Sequence, residues 1–546
     1  MEPENDYGNI EYKLKLLCKD DRRREELISQ MAYRLNEGSG ECIYILGIGD
    51  NGELIGIDEE NYNLSLENIN IFATKNDSVI INISKKEIGN EKGNEKGEPK
   101  YIYEILIREH LENKYIDIKV SVAGNVDSGK SSLIGVLING KNDNGRGEAR
   151  LSVFNYPHEL KSGRTSSIAH HILGFDMNGT VVNYDTIHKL SWKEIVKKSS
   201  KIISLFDLAG HEKYLKTTIL GLSSSIPDLC IITVGANMGI TRMTKEHIFL
   251  CVMLNIPMAI IVTKIDICIN RKEVMANTIS DIKKILKLPG IRRMTYKIND
   301  TEDILLASKN KNNNSMVPLF FVSNVTGEGI SLIKTYLNFI NKQKNNINNS
   351  NKNVEYHIDT IFFVTGVGTV VGGHLKYGTV RVGDKLYLGP YTNNNTYESY
   401  IVKSIHCKRT LVNEVKSSCY ACICLKKVNR KNIRKGHVLL GELTPKFASL
   451  EFDADISILK SHSTTIKKGY EPVLHCSTIR QTAKITNINT KISSKQNETN
   501  DLILRTGDKA NVHFKFRNRK EYLKIGNKIL LAEGKIKIVG VITKLY

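Results

Sequence analysis

No run of apolar residues in this chain approaches the roughly 20 that a membrane-crossing helix needs. The amino end, MEPENDYGNI, is acidic and polar. It has neither the basic start and apolar centre of a secretory signal nor the arginine-rich bias of a transit peptide, so a cytoplasmic protein without membrane contact is expected. The ten cysteines are scattered without the spacing of a disulfide framework, which suits a reducing compartment. Cys419-Tyr420-Ala421-Cys422-Ile423-Cys424 has the look of a metal knuckle. No second pair follows at finger spacing, and Ser418 to Leu425 reads as a strand, so no zinc is expected. The tandem His170-His171 likewise lacks further ligands. Residues 1–115 carry no catalytic constellation; they read as a small α+β region with a helix after Asp20-Asp21, its face marked by Leu27, Met31 and Leu35, then a hairpin from Glu41 to Ile57 around Asp50-Asn51-Gly52, whose Asn-Gly suits a type I′ turn.

Negative charge is scarce in the carboxyl-terminal third. Residues 352–546 hold 33 lysines and arginines against 15 acidic residues, a net of +18 out of the +20 of the whole chain. The clusters Lys426-Lys427-Val428-Asn429-Arg430-Lys431 and Lys515-Phe516-Arg517-Asn518-Arg519-Lys520 would neutralise phosphates of a nucleic acid, with binding that weakens as salt rises. Phe514, Phe516 and Tyr522, interleaved with the second cluster, read as barrel core in preference to base-stacking platforms. Asn-, Lys- and Ser-rich stretches (the repeat Gly89 to Gly97, then Ser308 to Ser315, Asn341 to Asn353 and Ser493 to Asn500) read as solvated loops or linkers.

What the chain does have is a glycine loop in the right setting. Gly124-Asn125-Val126-Asp127-Ser128-Gly129-Lys130-Ser131 follows the strand-like run Ile116 to Ala123 and precedes helical spacing from Ser132 to Ile138. Burying a triphosphate requires backbone NH groups, a cation and a metal converging on one point. The two glycines permit the approach, Lys130 would reach the β- and γ-phosphates, and the Ser131 hydroxyl would take a position on Mg²⁺. Three further elements follow in order. Asp207-Leu208-Ala209-Gly210-His211 ends the run Ile202 to Phe206: Asp207 would hold a water on Mg²⁺, the Gly210 NH would bond the γ-phosphate, and the His211 imidazole would orient the attacking water. Thr263-Lys264-Ile265-Asp266 ends Met258 to Val262. Asp266 would accept from guanine N1 and N2, protons that adenine cannot offer there, with Lys264 along the base and ribose. Ser323-Asn324-Val325 ends Pro318 to Val322, where backbone NH groups would meet the guanine O6. Each element sits at the carboxyl end of a strand, where doubly wound sheets bind ligands, so the four together imply a site for GTP and GDP with Mg²⁺.

The phosphate-loop variant from Val126 to Leu133 (VDSGKSSL) is similar to that of the translational GTPases related to elongation factors Tu and one alpha, Val126 and Asp127 being the distinguishing residues. More narrowly, DNGRGEARLSVFNYPHELKSGRTSSI from Asp143, SSKIISLFDLAGHEKYLKTT from Ser199 and VGANMGITRMTKEH from Val234 resemble the GTP-binding protein 1 and 2 family. The likeness runs through nearly the whole chain. It implies a P-loop GTPase domain with a mostly parallel α/β sheet over residues 116–345, after the region 1–115, and two β-barrels over 354–443 and 444–546. The barrel resemblance rests on Thr365 to Gly373, Arg381 to Asp384, Lys403 to Ile405, Gly469 to Pro472 and Val539 to Ile542.

The family resemblance also sets out the expected roles. Switch I is Gly163-Arg164-Thr165-Ser166-Ser167-Ile168, where the magnesium-closing threonine falls on Ser167 by ungapped counting and on Thr165 by residue type; both stay open. Val126 and Ile168 would gate His211, and Asp127 would add charge through a bound monovalent cation. Where relatives usually have Asn, Thr263 lacks the amide, with an expected loss of loop bracing. The family implies the ribosome and aminoacyl- or peptidyl-tRNA as partners of a monomer that hydrolyses GTP; the rival reading is a GTP-controlled adaptor to RNA-decay factors. A third, a GTPase subunit driving a metabolic enzyme, predicts little RNA affinity.

Overall fold

The computed structural model describes the chain apart from residues 1–3, 5–7, 19, 39, 88–98, 110–114, 185–189, 226, 289, 310–314, 343–352, 392–395, 459–464, 492–502 and 534. The repeat at Gly89 to Gly97, the tract at Ser493 to Asn500 and most of the tracts at Ser308 and Asn341 lie outside the described residues.

The first unit runs β1 (Ile10–Lys13), α1 (Asp21–Glu37), β2 (Glu41–Leu46), α2 (Glu59–Lys75), β3 (Ser78–Glu87) and β4 (Tyr101–Glu109), with sheet order β1-β2-β4-β3. Asp20 caps α1 by accepting from the NH of Arg23 (2.7 Å), and Leu27, Met31 and Leu35 pack in one core with the sheet. The hairpin expected at Glu41 to Ile57 does not form. Every residue of β2 is buried, and a central strand needs a partner on each side; β1 supplies one in parallel and β4 the other in antiparallel register. The return arm keeps only an isolated bridge between Ile48 and Leu54, while Ile57 bridges to Tyr101. Nor is the turn type I′, because Gly52 (φ 84°) is left-handed and Asn51 is not.

A buried network fastens this unit to the next. Glu41 accepts from Arg108 Nε (2.7 Å) and Lys201 Nζ (2.9 Å), and both cations continue to Asn338, Arg108 Nη2 donating to Oδ1 at 2.8 Å and Lys201 to the carbonyl at 2.6 Å. Burial pushes the Glu41 carboxyl up, but Lys201 and Arg108 outweigh it and hold the group below the usual carboxylate range.

The second unit is a doubly wound α/β domain. Its strands are β5 (Ile116–Gly124), β6 (Ala169–Phe175), β7 (Lys201–Asp207), β8 (Leu229–Gly235), β9 (Met258–Thr263), β10 (Met294–Lys297) and β11 (Met316–Phe321). Helices α3 (Lys130–Asn139), α4 (Glu148–Leu151), α5 (Pro157–Ser162), α6 (Trp192–Lys198), α7 (Leu215–Ser225), α8 (Arg242–Leu254), α9 (Lys272–Leu286), α10 (Thr301–Lys309) and α11 (Ile330–Phe339) connect and flank them. The sheet order is β10-β11-β9-β8-β5-β7-β6, parallel except for edge strand β6. β5, β8 and β9 are buried at every position, as strands covered on both faces must be. The tandem histidines stand on β6, where the His170 ring lies flat on Phe206 at 4.7 Å.

Two barrels follow. Strands between Glu355 and Leu440 form a seven-stranded sheet closed by pairing of Lys385–Gly389 with Glu398–Cys407, and six strands between Glu451 and Leu545 close a second barrel. Phe514, Phe516 and Tyr522 are buried, so they are packing residues and offer no face to a base. The first barrel docks on the α/β domain through polar contacts kept from water: the ion pair of Lys408 with Asp117 (2.7 Å), and a hydrogen bond between Lys119 Nζ and His374 Nε2 (2.6 Å).

Candidate guanine-nucleotide site

The turn after β5 can be built only with glycine. At Gly124 (φ 150°) a Cβ would fall 2.4 Å from Thr233 Oγ1, and Gly129 (φ 78°) opens α3 from the left-handed region. Ser128 Oγ bonds the Asn125 carbonyl (2.8 Å) and Thr233 Oγ1 (2.7 Å), which fixes the curve of the loop. Lys130 donates back to the Asn125 carbonyl at 2.7 Å. Burial lowers its pKa against the pull of Asp207 and Asp127, so an ammonium already stripped of water waits beside the loop NH groups. Val126, Asp127 and Ser132 line the same cleft, Asp127 exposed at φ 58°.

Thr263 answers the missing amide. Its hydroxyl donates to the Ser128 carbonyl at 2.8 Å, and Asn324 Nδ2 reaches the next carbonyl, that of Gly129, at 3.5 Å. The bracing is thus divided between the loops after β9 and β11. Asp266 Oδ1 accepts from Ser323 Oγ (2.6 Å), which itself accepts from the NH groups of Val325 (3.2 Å) and Thr326 (3.1 Å). The chain aims the carboxylate through Ser323, and Lys264 (φ 61°) turns the backbone between Thr263 and Asp266.

At the end of β7, Asp207 Oδ2 accepts from Ser131 Oγ (2.7 Å) and Thr165 Oγ1 (3.1 Å), and the two hydroxyls lie 2.9 Å apart. Asp207 Oδ1 is buried with no partner among the described residues, and burial pushes the carboxyl up despite Lys130. An orphaned carboxylate oxygen beside two hydroxyls is a donor set that fits Mg²⁺ carrying water and phosphate oxygens. Of the two switch I candidates the structure gathers Thr165 into this corner. Ser167 lies elsewhere: its NH and hydroxyl both donate to Glu159 Oε1 at 3.1 Å.

Glu159 escaped the sequence reading. Its side chain is fully buried and accepts from Ser166 NH (2.7 Å) and Oγ (2.8 Å), from Ser167, and from the NH groups of Asn155 (3.1 Å) and Tyr156 (3.3 Å). Burial raises its pKa, and this ring of donors brings the net shift below the usual range. Pro157 followed by an acid at the third helical position was the available signal.

Gly210 closes on the loop so tightly that a Cβ would sit 2.5 Å from Lys130 Nζ. His211 lines the phosphate cleft with Val126, and its Nδ1 accepts from the NH of Lys213 at 3.1 Å. A neutral ring so held carries its proton on Nε2. Ile168 packs toward α7, where a Cβ on Gly221 would meet its Cδ1 at 3.2 Å, and it lines the cavity on that side, whereas Val126 lines the phosphate cleft.

Residues 117–346 match the elongation factor Tu GTP-binding domain, 368–440 elongation factor Tu domain 2, and 451–543 the elongation factor one alpha C-terminal domain-like family. The chain is 39% identical to GTP-binding protein 1 of Xenopus laevis over 98% of its length and 79% of the relative's, and 39% identical to human GTP-binding protein 2 over 100% and 88%. It belongs to the GTP-binding protein 1 and 2 family. Like others of the translational GTPase class, this GTP-binding protein 1/2-type chain hydrolyses GTP. Its fold is shared with the elongation factor SelB of Methanococcus maripaludis bound to a GTP analogue, at TM-score 0.54 and 22% identity over 80% of each chain.

A second feature lies where all three large units meet. A cavity of about 650 Å³ is walled by Ser166, Ser167 and Ile168 of switch I, by Lys216 and Leu220 of α7, and by Asp359, Tyr420, Lys435 and Arg480 of the barrels. Lys216, Lys435 and Arg480 form no ion pair among the described residues, whereas Arg434 and Arg519 share Glu521. The same sorting applies to the surface clusters. Lys515, Arg517 and Arg519 are paired with Glu451, Glu471 and Glu521, so the second cluster is largely neutralised, while Lys426, Lys427, Arg430 and Lys431 are exposed without such partners among the described residues.

Proposed function

We propose that the protein is a GTP-controlled RNA-binding factor that engages the ribosome and holds a tRNA, aminoacylated or peptidyl, by its end in the cavity between the three units. The observation that carries this reading is the composition of the cavity wall: unpaired cations from α7 and both barrels face a floor made of switch I. Its lining would change with the bound nucleotide. Among the described residues no helix is long and apolar enough to cross a membrane, and the factor acts as a cytoplasmic monomer.

In this reading Lys130 and the loop NH groups hold the phosphates, Ser131 and Thr165 with Asp207 through water would hold Mg²⁺, and Asp266 selects guanine. The metal, when bound, offsets charge on the phosphate oxygens. His211 positions water from Nε2 once ribosome contact brings its ring over the γ-phosphate. Thr263 lends the adaptor reading no separate weight, since its hydroxyl and the Asn324 amide brace the loop between them.

The test is GTP hydrolysis with and without purified ribosomes, with His211→Ala beside the wild type. Strong stimulation that the variant loses supports the reading. No stimulation with intact GTP binding leaves the adaptor to RNA-decay factors in front.

A further inference from the structure

The segment ahead of switch I carries a cation into the phosphate cleft that no motif accounts for. Arg150 stands on α4, which is pinned from two sides. Asp143 accepts from the NH groups of Gly147 (3.2 Å) and Ala149 (2.9 Å), and its own NH bonds the Asn324 carbonyl (2.8 Å), so α4 hangs from the guanine loop. α4 also rests directly on the helix of the phosphate loop, where a Cβ at Gly135 would fall 2.1 Å from the Ala149 carbonyl.

The guanidinium then lies between two left-handed glycines. A Cβ on Gly147 (φ 87°) would meet Nε at 2.5 Å, and one on Gly163 (φ 64°) would meet Nη2 at 3.1 Å. Nη1 donates a long bond to the Gly163 carbonyl at 3.4 Å. Among the described residues no carboxylate pairs with Arg150, although it is half-buried and lines the cleft with Lys130, Thr165 and His211. Arg164 lines the same cleft but is exposed. A half-buried guanidinium without a carboxylate partner gains charge-assisted hydrogen bonds once phosphate oxygens face it.

We propose that Arg150 is a catalytic arginine supplied in cis, donating to γ-phosphate oxygens as their charge redistributes during GTP hydrolysis. This rests on the phosphate-loop reading above. A planar, permanently charged fork suits that task, and a clasp formed before reaction spares reorganisation when the charge moves.

The experiment uses the full chain and three readouts: affinity for a fluorescent GDP, single-turnover GTP hydrolysis, and formation of a GDP–aluminium fluoride complex. Arg150→Ala is expected to keep GDP affinity within about threefold, to slow hydrolysis by about 10²-fold or more, and to lose the fluoroaluminate complex. Gly163→Ala, which displaces the guanidinium while leaving it in the chain, shifts hydrolysis the same way. Wild-type hydrolysis and a normal fluoroaluminate complex in Arg150→Ala would overturn the proposal, as would loss of nucleotide affinity with an unchanged rate at saturation. A wild-type chain that fails to bind GDP at all would overturn the phosphate-loop reading, and the proposal with it.

Discussion

Two hydroxyls two residues apart in switch I face different carboxylates. Thr165 shares Asp207 with Ser131, and Ser167 is tied to Glu159. Thr165→Ala should therefore raise the Mg²⁺ concentration needed for GTP hydrolysis and lower the rate by about tenfold or more, as loss of a metal-facing oxygen does. Ser167→Ala should leave the metal requirement unchanged; a magnesium titration of hydrolysis checks both. Thr263 and Asn324 hold neighbouring carbonyls of the phosphate loop. Removing either side chain's bond should weaken nucleotide binding by about 1 kcal/mol, roughly fivefold, read by GDP titration of Thr263→Ala and Asn324→Ala. Most of this site was legible in the chain because each motif lies within a few residues of a strand end. Its choice of hydroxyl was not, since ungapped counting measures distance along the chain and Asp207 measures it through space.

At the scale of elements, α5 and the loop behind it are organised by one buried carboxylate. Glu159 collects donors from Asn155 to Ser167, so its ionised form holds the loop closed. Its pKa is lowered in the fold, so this contribution is complete above the ordinary value of 4.5 and disappears as pH falls through the lower folded value. Limited proteolysis of switch I should accelerate on acidification in the wild type; Glu159→Gln should show the faster cleavage already at neutral pH. Such a role is hard to read from sequence because it depends on eight residues folding back on one side chain. The misread hairpin has a similar origin: Asn51-Gly52 is a sound local turn signal, yet β4, arriving some 50 residues later, takes the edge that the return arm would have used. The charge of the second basic cluster was overcounted for the same reason, since Glu451 reaches it from another strand and Glu471 from the loop ahead of Val473.

Across the whole molecule, the α/β domain and first barrel are joined by cations removed from water. Burial drives the pKa of Lys119 down to about 8 against the attraction of Asp228 and Asp117, and burial also keeps His374 neutral, so that its Nε2 accepts from the ammonium. Between about pH 8 and 10.5 the unfolded chain holds a proton on this lysine that the fold has released, so stability should rise with pH across that window. Thermal unfolding of the wild type against Lys119→Met, which cannot titrate, measures the slope, and its persistence in the variant would assign it to another group. The order of the units and their strand-rich or helix-rich character were legible from periodicity and motif order. The docking pairs were not, because Lys408 and Asp117 are ordinary surface residue types whose burial exists only once the barrel has closed on the sheet.

Ser166 and Ser167 form part of the floor of the interdomain cavity, and Thr165, their neighbour, ends beside Ser131 and Asp207. Under the proposed function a stretch of three residues belongs to two binding sites, and thermodynamic reciprocity then leaves no freedom. Whatever factor GTP adds to the affinity of an occupant of the cavity, that occupant adds to the affinity for GTP. A loaded factor would keep its nucleotide longer than an empty one, and the loss of either would hasten departure of the other.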